Sequence, residues 1–213
     1  MSGIATDIKS VYAEVGIKFD IVRDSGIISG EYLDWEPNQQ VTKPFIREFF
    51  LECALAYDTD ASEGEVIQFM PSGEVNGGER YLLMNKTPDI FENEIIKYDG
   101  VLYKCNVSGE LFRPSGEAEW DTTQTYRKVT SFEQVREVAF ALQSESLFGS
   151  DMDTNEELGL LGIEKHELYI PLSFGIQELD RYSPVSGEYY RVDSIKKRRF
   201  KGVDVCILSE DTR

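Results

Sequence analysis

The chain has 213 residues, 41% hydrophobic and 12% aromatic, with a formal net charge of -17 at pH 7. That length and apolar share suffice for a packed core, as one large domain or two small ones, and exclude a disordered polyelectrolyte. No run approaches the roughly 20 apolar residues of a membrane-spanning helix. The opening MSGIATDIKSVYAEVG lacks the basic start and apolar stretch of a secretory signal, so the expectation is a soluble protein made in a cytoplasm.

In chain order, residues 6–15 place Ile8, Val11, Tyr12 and Val15 at helical spacing, with Thr6 or Asp7 to cap and Gly16 to stop. A short N-terminal helix is predicted. IKFDIVR (17–23) then alternates as a strand and DSG turns the chain. PFIREFFLECALAY (44–57) fits either period, but its aromatic content and the turn-like DTDASEG favour strand, loop, strand, the last being EVIQFM. RYLLMN (80–85) and VLYKCNV (101–107) continue the β pattern, with TPDIFENEI between them read as an irregular or one-turn connection.

SFEQVREVAFAL (131–142) carries a helix signature. Ser131 and Gln134 form a capping box, and Phe132, Val135, Val138 or Ala139, and Leu142 form one stripe. An acidic surface loop follows, and HELYIPLSF, EYYRVDSI and VDVCILS return to strand. The fold class expected is mainly β (α+β): small β-barrel-like modules, a short N-terminal helix, and a helical and acidic-loop insertion near 131–164. The boundary expected is 1–128 for a first β-rich module and 129–213 for the helix, acidic loop and second β module, or else one domain with an insertion.

An internal echo supports two related modules. GERYLLMN followed by GVLYKCNVSGELFR matches, in order, GEYYRVDSI followed by GVDVCILSEDTR.

Charge is distributed unevenly. Between Arg47 and Arg80 lie eight carboxylates and no Lys or Arg; between Arg136 and Lys165 lie seven more. The candidate acidic face comprises Asp58, Asp60, Glu63 and Glu65 in the first window and Asp151, Asp153, Glu156 and Glu157 in the second. Against this, six of the 22 basic residues crowd between Arg191 and Lys201. Lys196, Lys197, Arg198, Arg199 and Lys201 are therefore the candidate subunit or partner interface, a basic tip seeking an acidic face.

No residue set points to catalysis, a cofactor or a metal. The single histidine, His166, has no nucleophile motif to serve and reads as a strand-edge surface residue. DMDTN (151–155) opens like a calcium loop, but Glu156 stands where glycine is needed and Gly162 where the bidentate glutamate belongs; DTDAS (58–62) fails in the same places. PSGEVNGGER lacks the Lys-Ser/Thr of a phosphate-binding loop. Cys53, Cys105 and Cys206, odd in number and without CxxC spacing, read as reduced core or near-core thiols.

The order HELYIPLSFGIQELDRYSPVSGEYYRVDSIKKRRFKGVDVCILSEDTR, with PFIREFFLECALAYDTDASEGEVIQF, YLLMN and VLYKCNVSGELFR upstream, resembles the small β-barrel neck proteins of tailed bacteriophages, the head-to-tail connector, head-closure or stopper class. The resemblance covers about two-thirds of the chain, and the segment 131–164 has no counterpart in the simplest such barrels. It implies a structural, non-enzymatic virion protein, assembled in the host cytoplasm, forming a homo-oligomeric ring between portal or adaptor and tail-terminator proteins. DNA would pass through that ring without specific binding, which an acid-rich lining favours because each Lys or Arg contact to phosphate adds affinity. The alternative is an acidic DNA mimic that occupies the basic groove of a host defence enzyme; the basic tip and long aromatic strands speak against it.

Overall fold

A computed structural model describes residues 3–36, 50–69, 78–116, 119–120, 127–128, 131–144 and 166–211. The chain divides into two units, the first Met1–Cys105 with Phe200–Val203, the second Asn106–Arg199 with Asp204–Arg213.

The first unit opens with helix α1 (Gly3–Val15), which buries Ala5 and Tyr12. Gly16 ends it by returning a backbone bond to the Tyr12 carbonyl at 2.9 Å, and a Cβ at Gly16 would lie 2.5 Å from that same oxygen. Six strands follow: β1 (Ile17–Arg23), β2 (Gly26–Glu36), β3 (Phe50–Ala56), β4 (Val66–Phe69), β5 (Arg80–Phe91) and β6 (Glu94–Lys104). They close into a barrel in the order β1–β2–β3–β6–β5–β4, with β4 pairing back onto β1 and every neighbour antiparallel. Alternate residues of each strand fall on one face of a sheet. Accordingly Phe19 and Ile21, then Leu51, Cys53 and Leu55, join Leu33, Ile67, Leu83 and Leu102 in one buried interior.

The second unit holds β7 (Val107–Pro114), the short ribbon β8 (Glu119–Trp120) with β9 (Arg127–Lys128), then β10 (Phe132–Ser144), β11 (His166–Pro171), β12 (Arg181–Ser183), β13 (Tyr190–Phe200) and β14 (Val203–Glu210). A 3-10 turn at Leu172–Phe174 follows β11 and ends on Gly175 in the left-handed region, φ 65°. Six strands again close a barrel, β10–β11–β14–β13–β12–β7, with β7 pairing both β10 and β12. Its interior collects Leu111, Ala139, Ala141, Leu168, Ile170, Tyr182, Val192, Cys206 and Leu208. Numbered within the barrel, β7 and β10–β14 are strands one to six in the cyclic order 1–2–3–6–5–4, which is also the order of β1–β6.

The mainly β class, the N-terminal helix and the barrel modules are as expected from sequence, and three local readings are corrected. Residues 132–144 form strand β10, not a helix. Register shifts between Gln134 and Arg136 and between Arg136 and Ala139 break the two-residue alternation, so the apolar spacing imitates a helical period. Val135 and Val138, on the supposed buried stripe, are exposed, whereas Ala139 and Ala141 face the interior. Ser131 caps nothing and donates its hydroxyl to the Ser115 carbonyl.

TPDIFENEI is not irregular either. β5 runs to Phe91 and turns through Glu92 and Asn93, both at positive φ (49° and 67°), into β6. Two left-handed residues match the twist of a two-residue hairpin. Finally, the division falls between Cys105 and Asn106 rather than after residue 128, because β7 takes its ladder partners from β10 and β12. The acidic stretch 145–164 lies outside the described residues.

Candidate interface and the arginine forks

The basic tip is shaped by β13, β14 and the turn at 201–202 that joins them. Three of its five candidate cations already hold carboxylates. Lys196 Nζ lies 3.1 Å and Arg199 Nη1 3.5 Å from Glu167 Oε1, and Lys201 Nζ lies 2.9 Å from Glu63 Oε2. Burial pushes the Glu167 carboxyl up, but the Tyr169 hydroxyl at 2.8 Å, Lys196 and Arg199 outweigh it and hold the group below its ordinary range. Lys197 faces Asp204, whose carboxyl is raised by burial and drawn down by that lysine. Arg198 is exposed and forms no ion pair among the described residues.

The first acidic window is likewise partly neutralised within the chain. Asp58 meets Lys9 at 2.5 Å, Glu63 meets Lys201, and Glu65 is gripped by Arg23. The Asp60 amide donates to Glu31 Oε1 at 2.9 Å. Asp151, Asp153, Glu156 and Glu157 lie outside the described residues, as does the loop DMDTN. In the other calcium-like loop the Asp58 carboxylate pairs with Lys9 and the Asp60 backbone bonds Glu31 and Arg23, and no group of three or more His, Cys, Asp or Glu suited to a metal occurs among the described residues. His166 heads β11 and sets its ring edge-on to Tyr190, with centroids 5.3 Å apart.

Cys53 and Cys206 are buried, Cys105 is half-buried, and all three are free thiols. Burial pushes Cys53 to about 12, so its thiolate is scarce at neutral pH. In the first unit, a cleft of about 600 Å³ is lined by Tyr12, Asp34, Glu52, Asn85, Lys97 and Asp99 among others. Lys97 bonds Asp99 at 2.9 Å, and burial pushes the Tyr12 phenol up, so the cleft holds a neutral phenol and a neutralised ion pair.

Sequence reasoning missed the most ordered polar contacts. Arg23, last residue of β1, forks onto Glu65: Nε donates to Oε1, and Nη2 to Oε2 at 3.0 Å. Arg113, near the end of β7, forks onto Asp180, Nε to Oδ1 at 3.1 Å and Nη2 to Oδ2 at 2.9 Å. Asp180 is 1% exposed, and such bidentate, charge-assisted pairs are what make a buried carboxylate tolerable. A third pair, Arg181 with Asp211 at 2.8 Å, stacks its guanidinium 3.6 Å from the Phe132 ring centroid and ties the last described residue to the barrel. The fork partners stand 42 and 67 residues apart, so no local spacing marks them.

Two closed six-stranded β-barrels, each with an arginine–carboxylate fork, define the class of the chain by architecture. Compared with protein-family models, curated proteins and solved structures, it matches none.

Proposed function

We propose that the chain is a structural assembly protein of a tailed-phage neck, a ring subunit between portal and tail through which DNA passes without specific binding. The observation that supports this reading is the polarity of charge: a formal net charge of -17 together with a basic tip at which Arg198 is exposed and forms no ion pair among the described residues. A closed barrel has no unpaired strand edge. A cyclic ring requires two different patches on each subunit. An acid-rich surface with one cationic patch meets that requirement.

Mass photometry of the purified chain, alone and with a portal-type ring, combined with negative-stain imaging, tests the proposal. Closed rings on at least one arm are expected. A monomer on both arms overturns it, and tight stoichiometric binding of that monomer to a basic DNA-binding enzyme would favour the DNA-mimic alternative.

A further inference from the structure

The shared strand order of the two barrels extends to individual atoms. Each fork joins the end of strand one to the residue immediately before strand four: Arg23 to Glu65 before Val66, and Arg113 to Asp180 before Arg181. In each, the same Nη2 also donates 2.8 Å to the carbonyl five residues before the carboxylate, Asp60 in one barrel and Gly175 in the other. In each, the carboxylate accepts at 2.8 Å the amide three residues before it, Ser62 or Gln177.

The residue before each carboxylate is left-handed, Gly64 at φ 87° and Leu179 at φ 72°. Its amide donates to strand five, Gly64 to the Leu83 carbonyl at 2.7 Å and Leu179 to the Val192 carbonyl at 2.8 Å. The return bond is also repeated, from the Leu83 amide to the Glu65 carbonyl at 3.0 Å and from the Val192 amide to the Asp180 carbonyl at 2.9 Å. The hexapeptides DASEGE (60–65) and GIQELD (175–180) thus superimpose, with Ala61 and Ile176 both buried.

Ladder registers give the same correspondence independently. Val22 pairs Val66 and Ile21 pairs Ile67, as Phe112 pairs Arg181 and Leu111 pairs Tyr182. Ile67 then faces Tyr81 and Tyr182 faces Tyr190, which sets Tyr81 against Tyr190. That alignment also superimposes Gly78-Glu79 on Gly187-Glu188, the opening of the sequence echo. Even the interior volume is traded: Phe19 and Ile67 fill one barrel where Gly109 and Tyr182 fill the other. A Cβ at Gly109 would meet the Tyr182 ring at 2.5 Å.

We infer that the chain is a tandem duplication of one six-stranded barrel, and that the arginine–carboxylate fork kept in both copies is the latch that holds strand one of each barrel to the turn entering strand four. A closed barrel reached by chance could share strand order. It would not share a fork, a carbonyl anchor, a left-handed residue and a reciprocal strand-five bond at matching positions. The latch acts where the ladder alone is weakest, since β12 has only three residues and β4 only four.

Amide exchange on the full chain tests both halves of the inference. Asp180→Asn, isosteric but uncharged, is expected to speed exchange at Gln177, Leu179 and Val192 at least tenfold while Ser62, Gly64 and Leu83 stay within threefold. Glu65→Gln should give the mirror image. Should either variant unfold, Arg113→Lys and Arg23→Lys, which keep charge but lose the fork, make the same comparison. The duplication is tested by grafting Ser-Glu-Gly-Glu (62–65) over Gln-Glu-Leu-Asp (177–180): interchangeable latches should leave Val192 protection within threefold of the parent. Uniform acceleration across both barrels, no acceleration in either, or a graft as damaging as Asp180→Asn overturns the inference.

Discussion

Single residues here carry large and opposite electrostatic effects. Asp180 is buried and satisfied, so Arg113→Ala strands its charge and should cost about 3 kcal/mol or more, read as a lowered denaturation midpoint. Glu65 retains more solvent, its side chain 19% exposed against 1% for Asp180, and Arg23→Ala should cost less. Asp204 is the converse: 2% exposed, with Oδ1 unpaired, and its carboxyl raised by burial. A raised folded pKa means that stability is fully present below the unfolded value, near 3.8, and is lost as pH rises through the folded one. Asp204→Asn should therefore stabilise the chain at pH 7, with the gain vanishing in thermal melts below the unfolded value. An unchanged Tm at pH 7 would show the carboxylate to be well solvated. Leu179 holds a left-handed φ that L side chains avoid, so Leu179→Gly should be neutral to stabilising by up to about 1 kcal/mol. At the matching position Gly64→Ala should destabilise strongly, because the added Cβ would sit 1.9 Å from the Gly202 carbonyl oxygen.

At the scale of elements, bulges decide which face a strand shows. β10 stays a strand despite its helical-looking spacing because the register shifts between Gln134 and Ala139 re-aim the small Ala139 and Ala141 inward. Strands one and four of each barrel divide one interior volume, and this makes a coupled repacking testable. Gly109→Phe alone should destabilise by about 3 kcal/mol through overpacking against Tyr182, and Tyr182→Ile alone by about 2 kcal/mol through the space it leaves. Combined, they recreate the Phe19–Ile67 pair and relieve the clash with the Tyr182 ring, but the added Cβ still meets the Ser183 carbonyl oxygen at 2.6 Å, so a denaturation-based double-mutant cycle should recover only part of the summed loss. Strict additivity would show that the two positions do not share a cavity. Element length was harder to read: β5 and β6 run on to a left-handed two-residue turn at Glu92 and Asn93, residues whose polarity reads as loop.

For the whole molecule, charge balance sets the expectation for assembly. Reversing Arg198 to Glu leaves the Glu167 and Glu63 pairs and the approach of Lys197 to Asp204 in place, so the fold should hold with a stability change of about 1 kcal/mol or less. Ring or partner assembly, if it uses this tip, should fall sharply, and assembly of the parent should weaken as salt shortens the Debye length from about 10 Å at 0.1 M to about 3 Å at 1 M. Sedimentation at both ionic strengths checks this; parent-like assembly of the reversed chain at low salt would rule the tip out as a docking surface. Also reversing Lys196, Lys197, Arg199 and Lys201 confounds the test, because Glu167, Asp204 and Glu63 then lose their internal partners.

Local sequence was enough for the class of fold, the N-terminal helix, most strands, the free thiols and the polarity of charge. Those properties follow from side-chain alternation, turn residues and composition, which act over a few residues. It even disclosed the duplication faintly, through Gly-Glu followed by a tyrosine at the start of strand five in both barrels. Tertiary structure alone decided that 132–144 is a strand, that the break falls after Cys105, and that Arg23 and Arg113 seek Glu65 and Asp180. The reason is range. A bulge is a property of two paired strands, a barrel closes between its first and fourth strands, and a buried carboxylate accepts whichever guanidinium that closure delivers to it.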